Sequence, residues 1–404
     1  MNYFQPYPLA ADKSIVTAWD SEVARAAQTP WLAEVLAGAG SELFPRFADC
    51  YAQLRALPRG ARRALQRQLA RSQELAAVLR EWLHGQAGHA LQQKLARSLA
   101  GTALLLALGQ GVAQANTINV TPKTPPGITL GDGKCSLSEA ILSANNDIAY
   151  DACSSGLGAD TIVLPKGTQS LTYAFPNFLG IGPTGLPVIT SDITIDGNRA
   201  KITRGKSAPE MRLMAVALGG TMTLDDVTMS GGSSATSGGA IYNKGSFLRI
   251  NRTTITGNKA SIFGGGIFSY QGNVNINNST ISKNAADGLG GGLSNFDGYI
   301  RVDNSTISKN SSGGLGGGVL NLEGAIRVGN NSTISKNSAR AGGGLWNRYG
   351  DIDVVNSIIT GNKASVSGGG VFDDYNGTYG PFVDDPSNTF SKNKAPNGPD
   401  ILSF

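Results

Sequence analysis

The sequence predicts an all-β protein, a single-stranded right-handed parallel β-helix, preceded by an α-helical leader. A change of composition near residue 115 and a 26-residue repeat beyond it are the two observations that predict this fold. Residues 1–115 are rich in Ala, Leu and Arg, whereas the rest of the 404 residues is rich in Gly, Asn, Ser, Thr and Ile. Such a change marks a boundary before any motif is considered.

Charge and histidine content divide at the same boundary. Residues 1–115 contain 12 Lys and Arg against 8 Asp and Glu, which leaves 22 against 21 for residues 116–404. A nearly neutral β-helix exerts no long-range attraction on nucleic acid, so we expect no nucleic-acid partner. Because His84 and His89 both lie in the leader, a His base, a His zinc ligand and a Ser-His-Asp triad are excluded from the β-helix. We expect no metal and no cofactor.

Residues 94–115 have the features of a secretory signal. Lys94 and Arg97 precede an apolar run over residues 99–108, and a small-x-small site ends at Ala115, ahead of Asn116. A charged start, a short apolar core and such a cleavage site are typical of exported proteins. The run is shorter than the roughly 20 residues that span a bilayer. A buried helix or an uncleaved anchor remains the alternative.

The 93 residues before this signal contain apolar residues near helical spacing, with arginines between them. They predict a helical N-terminal extension. A cytoplasmic extension of the signal and a misassigned start codon are both compatible with the pattern, and the segment suggests no function.

The repeat is the clearest pattern in the chain. A Gly-Gly-Ala/Gly-aliphatic tetrad recurs at intervals of 26 residues, and self-similarity at a fixed period indicates a stacked architecture. The six tetrads start at Gly238, Gly264, Gly290, Gly316, Gly342 and Gly368.

A second segment of each repeat alternates apolar and polar residues, as in Leu248-Arg249-Ile250. This pattern predicts a short strand with one buried face. A third segment of each repeat ends in an asparagine, and stacking would place these amides in one column as a structural ladder. The column comprises Asn258, Asn284, Asn310, Asn337, Asn362 and Asn393. We therefore expect about three strands per coil, each pairing with its counterparts about 4.8 Å above and below.

Two cysteines lie beyond the leader, Cys135 and Cys153. An even pair in an exported domain predicts a disulfide, which would contribute about 3 kcal/mol in the chain-entropy account. A catalytic thiol is not expected, since no His is present to activate it.

Residues 131–141, which read GDGKCSLSEAI, resemble the CSLREA domain of bacterial exported proteins, as do residues 158–167, GADTIVLPKG. The resemblance implies an N-terminal cap, residues 116–190, leading into a β-helix, residues 191–404, on an adhesin-like surface or secreted protein. Ser138 stands where that family has Arg, so any salt bridge of that Arg is absent.

The repeats also resemble those of the polymorphic outer-membrane proteins, with GGA[ILV] at residues 238–241 and FxxN at residues 390–393. That resemblance implies an outer-membrane location. No run of alternating membrane strands follows the last coil. A secreted protein, one held by an outer-membrane partner and a truncated gene product are the alternatives.

Three groups are candidate sites. Asp297 and Glu323 occupy one column in adjacent coils, with Asp303 a few residues away, and paired carboxylates are the catalytic groups of glycosidases. An acidic group could bind calcium, although solvated loop charge is the simpler interpretation; its members are Asp373, Asp374, Asp384 and Asp385. An outward column beside the tetrads could expose an aromatic, ligand-binding strip, or could merely shield the backbone. It comprises Tyr242, Phe268, Ser294, Leu320, Trp346 and Phe372.

Three functions are compatible with these observations. The leading hypothesis is an adhesin-like surface or secreted protein that binds a glycan or a host or cell-surface protein. A polysaccharide lyase or glycoside hydrolase of the pectin-lyase-like fold is the second, and a structural spacer without ligand is the third. The case for binding depends on analogy with the fold.

Overall fold

A computed structural model describes residues 116–176, 180–217, 219–374, 382 and 385–403. The predicted helical extension, the signal with Ala115, and Asp384 lie outside the described residues. The described part is a right-handed parallel β-helix, so the predicted fold class is confirmed. Its strands form four parallel sheets, which run along the helix axis.

The first and second sheets each contain nine strands in the described part of the chain. The strands of the first sheet are Thr117–Asn119, Ala159–Val163, Asp192–Asp196, Thr221–Asp225, Phe247–Asn251, Asn273–Asn277, Tyr299–Asp303, Ala325–Gly329 and Asp351–Val354. Those of the second are Thr168–Leu171, Lys201–Arg204, Thr228–Ser230, Thr254–Thr256, Thr280–Ser282, Thr306–Ser308, Thr333–Ser335, Ile358–Thr360 and Thr389–Ser391.

The third sheet contains the strands that follow the glycine tetrads, and the fourth contains shorter strands. The strands of the third sheet are Met214–Val216, Ile241–Lys244, Ile267–Tyr270, Leu293–Phe296, Val319–Leu322, Leu345–Arg348, Val371–Asp374 and Ile401–Ser403. Those of the fourth are Ser233–Ser234, Lys259–Ala260, Ala285–Ala286, Ser311–Ser312, Ser338–Ala341 and Lys363–Ser367. Each complete coil therefore has four strands, one more than predicted, because strands of two small residues carry no period-two pattern.

Like residues meet like residues along the axis. Ile241 pairs with Ile267, and Ile267 pairs with Leu293, each fully buried in one shared core. The first and second sheets contribute their inward aliphatic residues to the same core. Burial of this apolar column is what holds the coils in register, since a shift of one residue would turn every buried side chain outward.

Two glycine positions show how tightly the coils stack. A Cβ on Gly291 would lie 2.3 Å from the carbonyl oxygen of Ser311, so only glycine lets the backbones approach. Gly245 differs, because a Cβ there would meet nothing within 4 Å and only its φ of +60° favours glycine. The extra residue in the coil at 330 is accommodated by Asn330 and Asn331, two consecutive residues with φ of 49° and 60°.

The asparagine column forms a buried ladder at the end of the second sheet. The Asn284 amide Nδ2 donates to Oδ1 of Asn310 at 3.1 Å and to the Ile255 carbonyl at 3.0 Å. The same Oδ1 also accepts the backbone N–H of Asn284 at 2.9 Å. The pattern repeats from Asn258 to Asn393. Each side chain thus satisfies turn groups that would otherwise be buried without partners.

A second buried ladder lies at the end of the third sheet. The amide of Asn295 donates to Asn321, Asn321 donates to Asn347, and Asn347 donates to Asp373, at 2.6–2.8 Å. Ser269 interrupts this ladder, because its hydroxyl donates to the carbonyl of Gly272 and Oδ1 of Asn295 accepts no bond among the described groups.

The helix Leu137–Asn146 packs its apolar face into the core cluster that contains the first strands. A capping box starts it, with Ser136 as N-cap and Glu139 returning to the Ser136 N–H at 2.9 Å. The predicted disulfide between Cys135 and Cys153 is confirmed, with sulfurs joined across a sequence separation of 18. Ser138 is fully buried and donates to the Pro126 carbonyl.

Candidate functional site

The predicted acidic trio does not converge. Asp297 and Glu323 lie in adjacent coils at turns that lead into the first sheet, with φ of 50° and 58°, and both are exposed. Asp297 accepts a bond from the Gln271 amide at 3.0 Å. Exposed carboxylates lack the apolar surroundings that prepare a carboxylic acid for general acid catalysis.

Asp303 lies at the far end of the strand that follows Asp297. The five residues Tyr299–Asp303 extend over about 13 Å. Asp303 is buried, forms an ion pair with Arg301, and accepts a bond from the Asn330 amide at 2.8 Å. This ion pair raises the pKa of Arg301. A strand therefore separates Asp303 from Asp297, and the carboxylate of Asp303 is bound to Arg301 and Asn330 instead of being grouped with the acidic pair.

The outward column beside the tetrads is not an exposed strip. Phe268 and Trp346 are only 6% and 5% exposed, and Leu320 and Ser294 are fully buried. Tyr242 and Phe372 are half-buried. The expectation of an exposed aromatic surface is wrong for this column, and its shielding interpretation describes the geometry.

The loops that enter each tetrad cover this column. Phe263 stacks on Phe268 with ring centroids 5.7 Å apart and contacts Phe296 at 4.7 Å. In later coils Leu315 and Ala341 pack beside Trp346 in a second, smaller apolar cluster. The aromatic residues thus stabilise the outside of the third sheet and leave little surface for a ligand.

The acidic group proposed for calcium is occupied by protein donors. Asp373 ends the second ladder, accepting from the Asn347 amide and from the backbone N–H of Phe382 at 2.7 Å. Asp374 pairs with Arg348 at 3.1 Å. Bonds from Ser387 lower the pKa of Asp385. Within the described ranges, no three His, Cys, Asp or Glu side chains are grouped as a metal site requires.

A buried arginine is a feature that the repeat pattern does not predict. Arg212 is fully buried, and its guanidinium donates to the carbonyls of Gly182 and Ser237 at 3.1 and 2.9 Å and to the Thr236 hydroxyl at 3.0 Å. Burial lowers the pKa of Arg212 to about 10. The same cause raises the pKa of Tyr242, whose ring lies 5.1 Å from the guanidinium carbon. Arg212 joins separate segments of the chain and is enclosed, so it is a structural residue.

The second sheet presents a regular polar surface, here called the hydroxyl face. In the six coils from Thr254 to Ser391 its inward residue is aliphatic, except for Phe390 in the last coil. The residues on either side of it are exposed or half-buried, except for the buried Ser335. These flanking residues are Thr or Ser at all but one position. In six successive coils they are Thr254 and Thr256, Thr280 and Ser282, Thr306 and Ser308, Thr333 and Ser335, Ile358 and Thr360, and Thr389 and Ser391.

A column of lysines borders the hydroxyl face, one residue after each strand. Its four members, here called the lysine column, are Lys283, Lys309, Lys336 and Lys392, and glycine takes this position in two coils, at Gly257 and Gly361. The four lysines are exposed and have φ of 55–57°. The sequence analysis did not identify this surface, because only the asparagine that ends this segment was considered there. The repetition of Thr, Ser and Lys at the outward positions of the segment would have indicated it.

No family model matches the sequence, and no curated protein matches it. The structure is similar to the crystal structure of pectate lyase Pel9A, with a TM-score of 0.41 and 15% identity over 72% of this chain and 78% of that chain. This likeness concerns the fold alone. No helix among the described residues has the length and apolar character needed to cross a bilayer.

Proposed function

We propose that the chain is an exported, adhesin-like protein that binds a glycan or protein ligand on the outside of its β-helix. The hydroxyl face is the observation that carries this proposal. The residue type at outward positions of a β-helix can vary as long as the surface remains polar. In the first sheet it does vary, from Arg301 and Arg327 to Asp353. In the same coils the second sheet keeps Thr or Ser at every outward position except Ile358.

The enzymatic alternative has less support. Hydrolysis of a glycosidic bond needs two carboxyl groups on either side of it, one of them in surroundings that keep it protonated. Asp297 and Glu323 are exposed, and Asp303 is bound to Arg301 and Asn330. A lyase or hydrolase is therefore an outcome that the experiment below must be able to reveal.

The proposed location depends on the signal and on the two family resemblances. Cleavage after Ala115 would release a protein that starts at Asn116, with the CSLREA-like cap first. The disulfide is compatible with an oxidising compartment. The protein would be secreted or held at the cell surface, in the second case by an outer-membrane partner. N-terminal sequencing of protein recovered from the medium tests this, and a start other than Asn116 would contradict the cleavage site.

The function itself is tested with the full chain on an array of glycans and matrix proteins. Parallel assays measure released reducing sugar and unsaturated uronide from the same polymers. We expect saturable binding to one ligand class without release of product.

Two results would contradict the proposal. Product release that is lost in Asp297→Asn or Glu323→Gln would identify an enzyme. Absence of binding to every ligand, with a native circular dichroism spectrum, would favour a structural spacer.

A further inference from the structure

The backbone holds the lysine column in a fixed repeat. Each lysine directly precedes a residue of the asparagine ladder, and the backbone N–H of Asn284 donates to Asn310 while that of Asn310 donates to Asn337, both at 2.9 Å. Successive lysines are therefore held one coil apart, about 4.8 Å along the axis. Lys283, Lys309 and Lys336 occupy three consecutive coils.

The turn itself does not explain why lysine is present. A φ near +56° favours glycine or asparagine over a residue with a long side chain. Glycine occupies the same position at Gly257 and Gly361. Like charges stacked one coil apart also repel each other. Both effects oppose the fold, so the lysines point to a role outside folding.

The charge of the lysine column is not neutralised by the protein. Some basic residues elsewhere do have carboxylate partners, such as Arg327 with Asp353 at 2.7 Å and Arg348 with Asp374 at 3.1 Å. Within the described ranges, no carboxylate lies within 4.0 Å of an ammonium group of the lysine column. A row of unpaired positive charges thus borders the hydroxyl face.

We propose that the hydroxyl face binds a linear acidic polysaccharide that lies along the helix axis. This inference rests on the proposed binding function and names its ligand class. The lysine column pairs with one carboxylate per sugar, and the Thr and Ser hydroxyls bond with the sugar hydroxyls. One sugar of an extended chain is about as long as the step between coils, so each coil meets an equivalent unit of the ligand.

The surface fits this ligand better than nucleic acid. Duplex DNA presents a charge about every 1.7 Å from two strands, whereas the lysines form a single row with a spacing of about 4.8 Å. Single-stranded nucleic acid is bound by aromatic side chains on which bases stack. The outward side chains of the hydroxyl face include none between Thr254 and Ser391. Because residues 116–404 are nearly neutral overall, attraction to the ligand is local to this face.

A groove continues the basic surface beyond Lys336. It is an open depression of about 390 Å³ lined by Lys363 and Lys394, whose backbones pair across adjacent coils, and Lys394 follows Lys392 by two residues. Its other lining residues include Asn393 and Pro399. An acidic chain on the lysine column can thus meet further positive charge past the gap at Gly361.

The test measures binding of the full chain to oligomers of polymannuronate by calorimetry. A neutral mannan oligomer, a single-stranded oligonucleotide and polyglutamate of matched length serve as comparison probes. We expect polymannuronate to bind. Its affinity should fall with added salt, because salt screens the attraction between lysines and carboxylates and reduces the gain from counterion release.

The decisive variant changes Lys283, Lys309 and Lys336 together to Gln. We expect a loss of about 30-fold in affinity, about threefold for each lysine. The matched control changes Arg249, Arg327 and Arg348 to Gln, which removes the same charge from other faces. We expect the affinity for polymannuronate to change by less than threefold, which is less than the loss expected from one exposed ion pair.

A third variant tests the hydroxyl face by changing Thr280, Thr306 and Thr333 to Val, which keeps the shape and strand preference of each side chain. We expect weaker binding of polymannuronate and unchanged binding of polyglutamate, which carries carboxylates but no sugar hydroxyls. Circular dichroism of each variant verifies the fold.

Three outcomes would overturn the inference: equal losses in the lysine and arginine variants, tighter binding of the oligonucleotide than of polymannuronate, or binding insensitive to salt. If the chain instead binds a neutral glycan or a protein without need of the lysines, the proposed function stands and this ligand class falls. If it binds nothing on any array, both fall.

Discussion

Removal of one amide from the buried asparagine ladder should destabilise the whole protein. Asn310 is 1% exposed and lies in the middle of the ladder. Its Oδ1 accepts from the backbone and side-chain nitrogens of Asn284, at 2.9 and 3.1 Å. Its Nδ2 donates to the Ile281 carbonyl and to Oδ1 of Asn337, both at 3.0 Å. Asn310→Ala therefore removes four hydrogen bonds at once.

The expected loss follows from these contacts. At about 1 kcal/mol for each bond, Asn310→Ala should lower the free energy of unfolding by about 4 kcal/mol. The Asn284 backbone N–H loses its acceptor in a buried turn, whereas the Asn284 amide keeps the Ile255 carbonyl. A loss of this size is a large fraction of the 5–15 kcal/mol by which proteins of this kind are stable.

Urea unfolding followed by circular dichroism measures the effect. The matched control is Asn273→Ala, at an exposed outward position of the first sheet, for which we expect a change within about 0.5 kcal/mol. Hydrogen exchange at the Asn284 amide should also become faster. A loss for Asn310→Ala no larger than that for Asn273→Ala would refute the view that the ladder stabilises the coil.

Other substitutions test the packing of the coils and the covalent link. Ser269→Asn should continue the second ladder and raise the free energy of unfolding by about 1 kcal/mol; a lower urea midpoint would contradict this. Gly291→Ala should cost about 3 kcal/mol, because backbones must separate, whereas Gly245→Ala, in open space, should cost about 1 kcal/mol; equal costs would argue against close stacking. Joint replacement of Cys135 and Cys153 by Ala should cost about 3 kcal/mol in thermal unfolding, and an unchanged midpoint would exclude a stabilising disulfide.

Periodic residues made most of the fold predictable. Ile241, Ile267 and Leu293 are separated by one period and lie in successive layers of one core. The asparagine ladder and the disulfide followed from residue type and spacing. The fourth sheet did not, since strands such as Ala285–Ala286 carry no alternation.

The candidate sites were less predictable, because they depend on what lies outside each sheet. The sequence indicated correctly that Phe268 and Trp346 point away from the core, yet the loops with Phe263 and Leu315 cover that side. Asp303 and Asp297 are also close in the sequence, although a strand separates them in the structure.

By itself, the sequence determined which residues face inward and how many residues make one coil, because burial of a repeating apolar column tolerates only one register. Tertiary structure alone decided which outward residues remain exposed and which charges have partners. Those properties depend on contacts between loops and coils that alternation within a strand does not encode. The lysine column is exposed whereas Trp346 is buried, although both belong to outward columns of the same repeat.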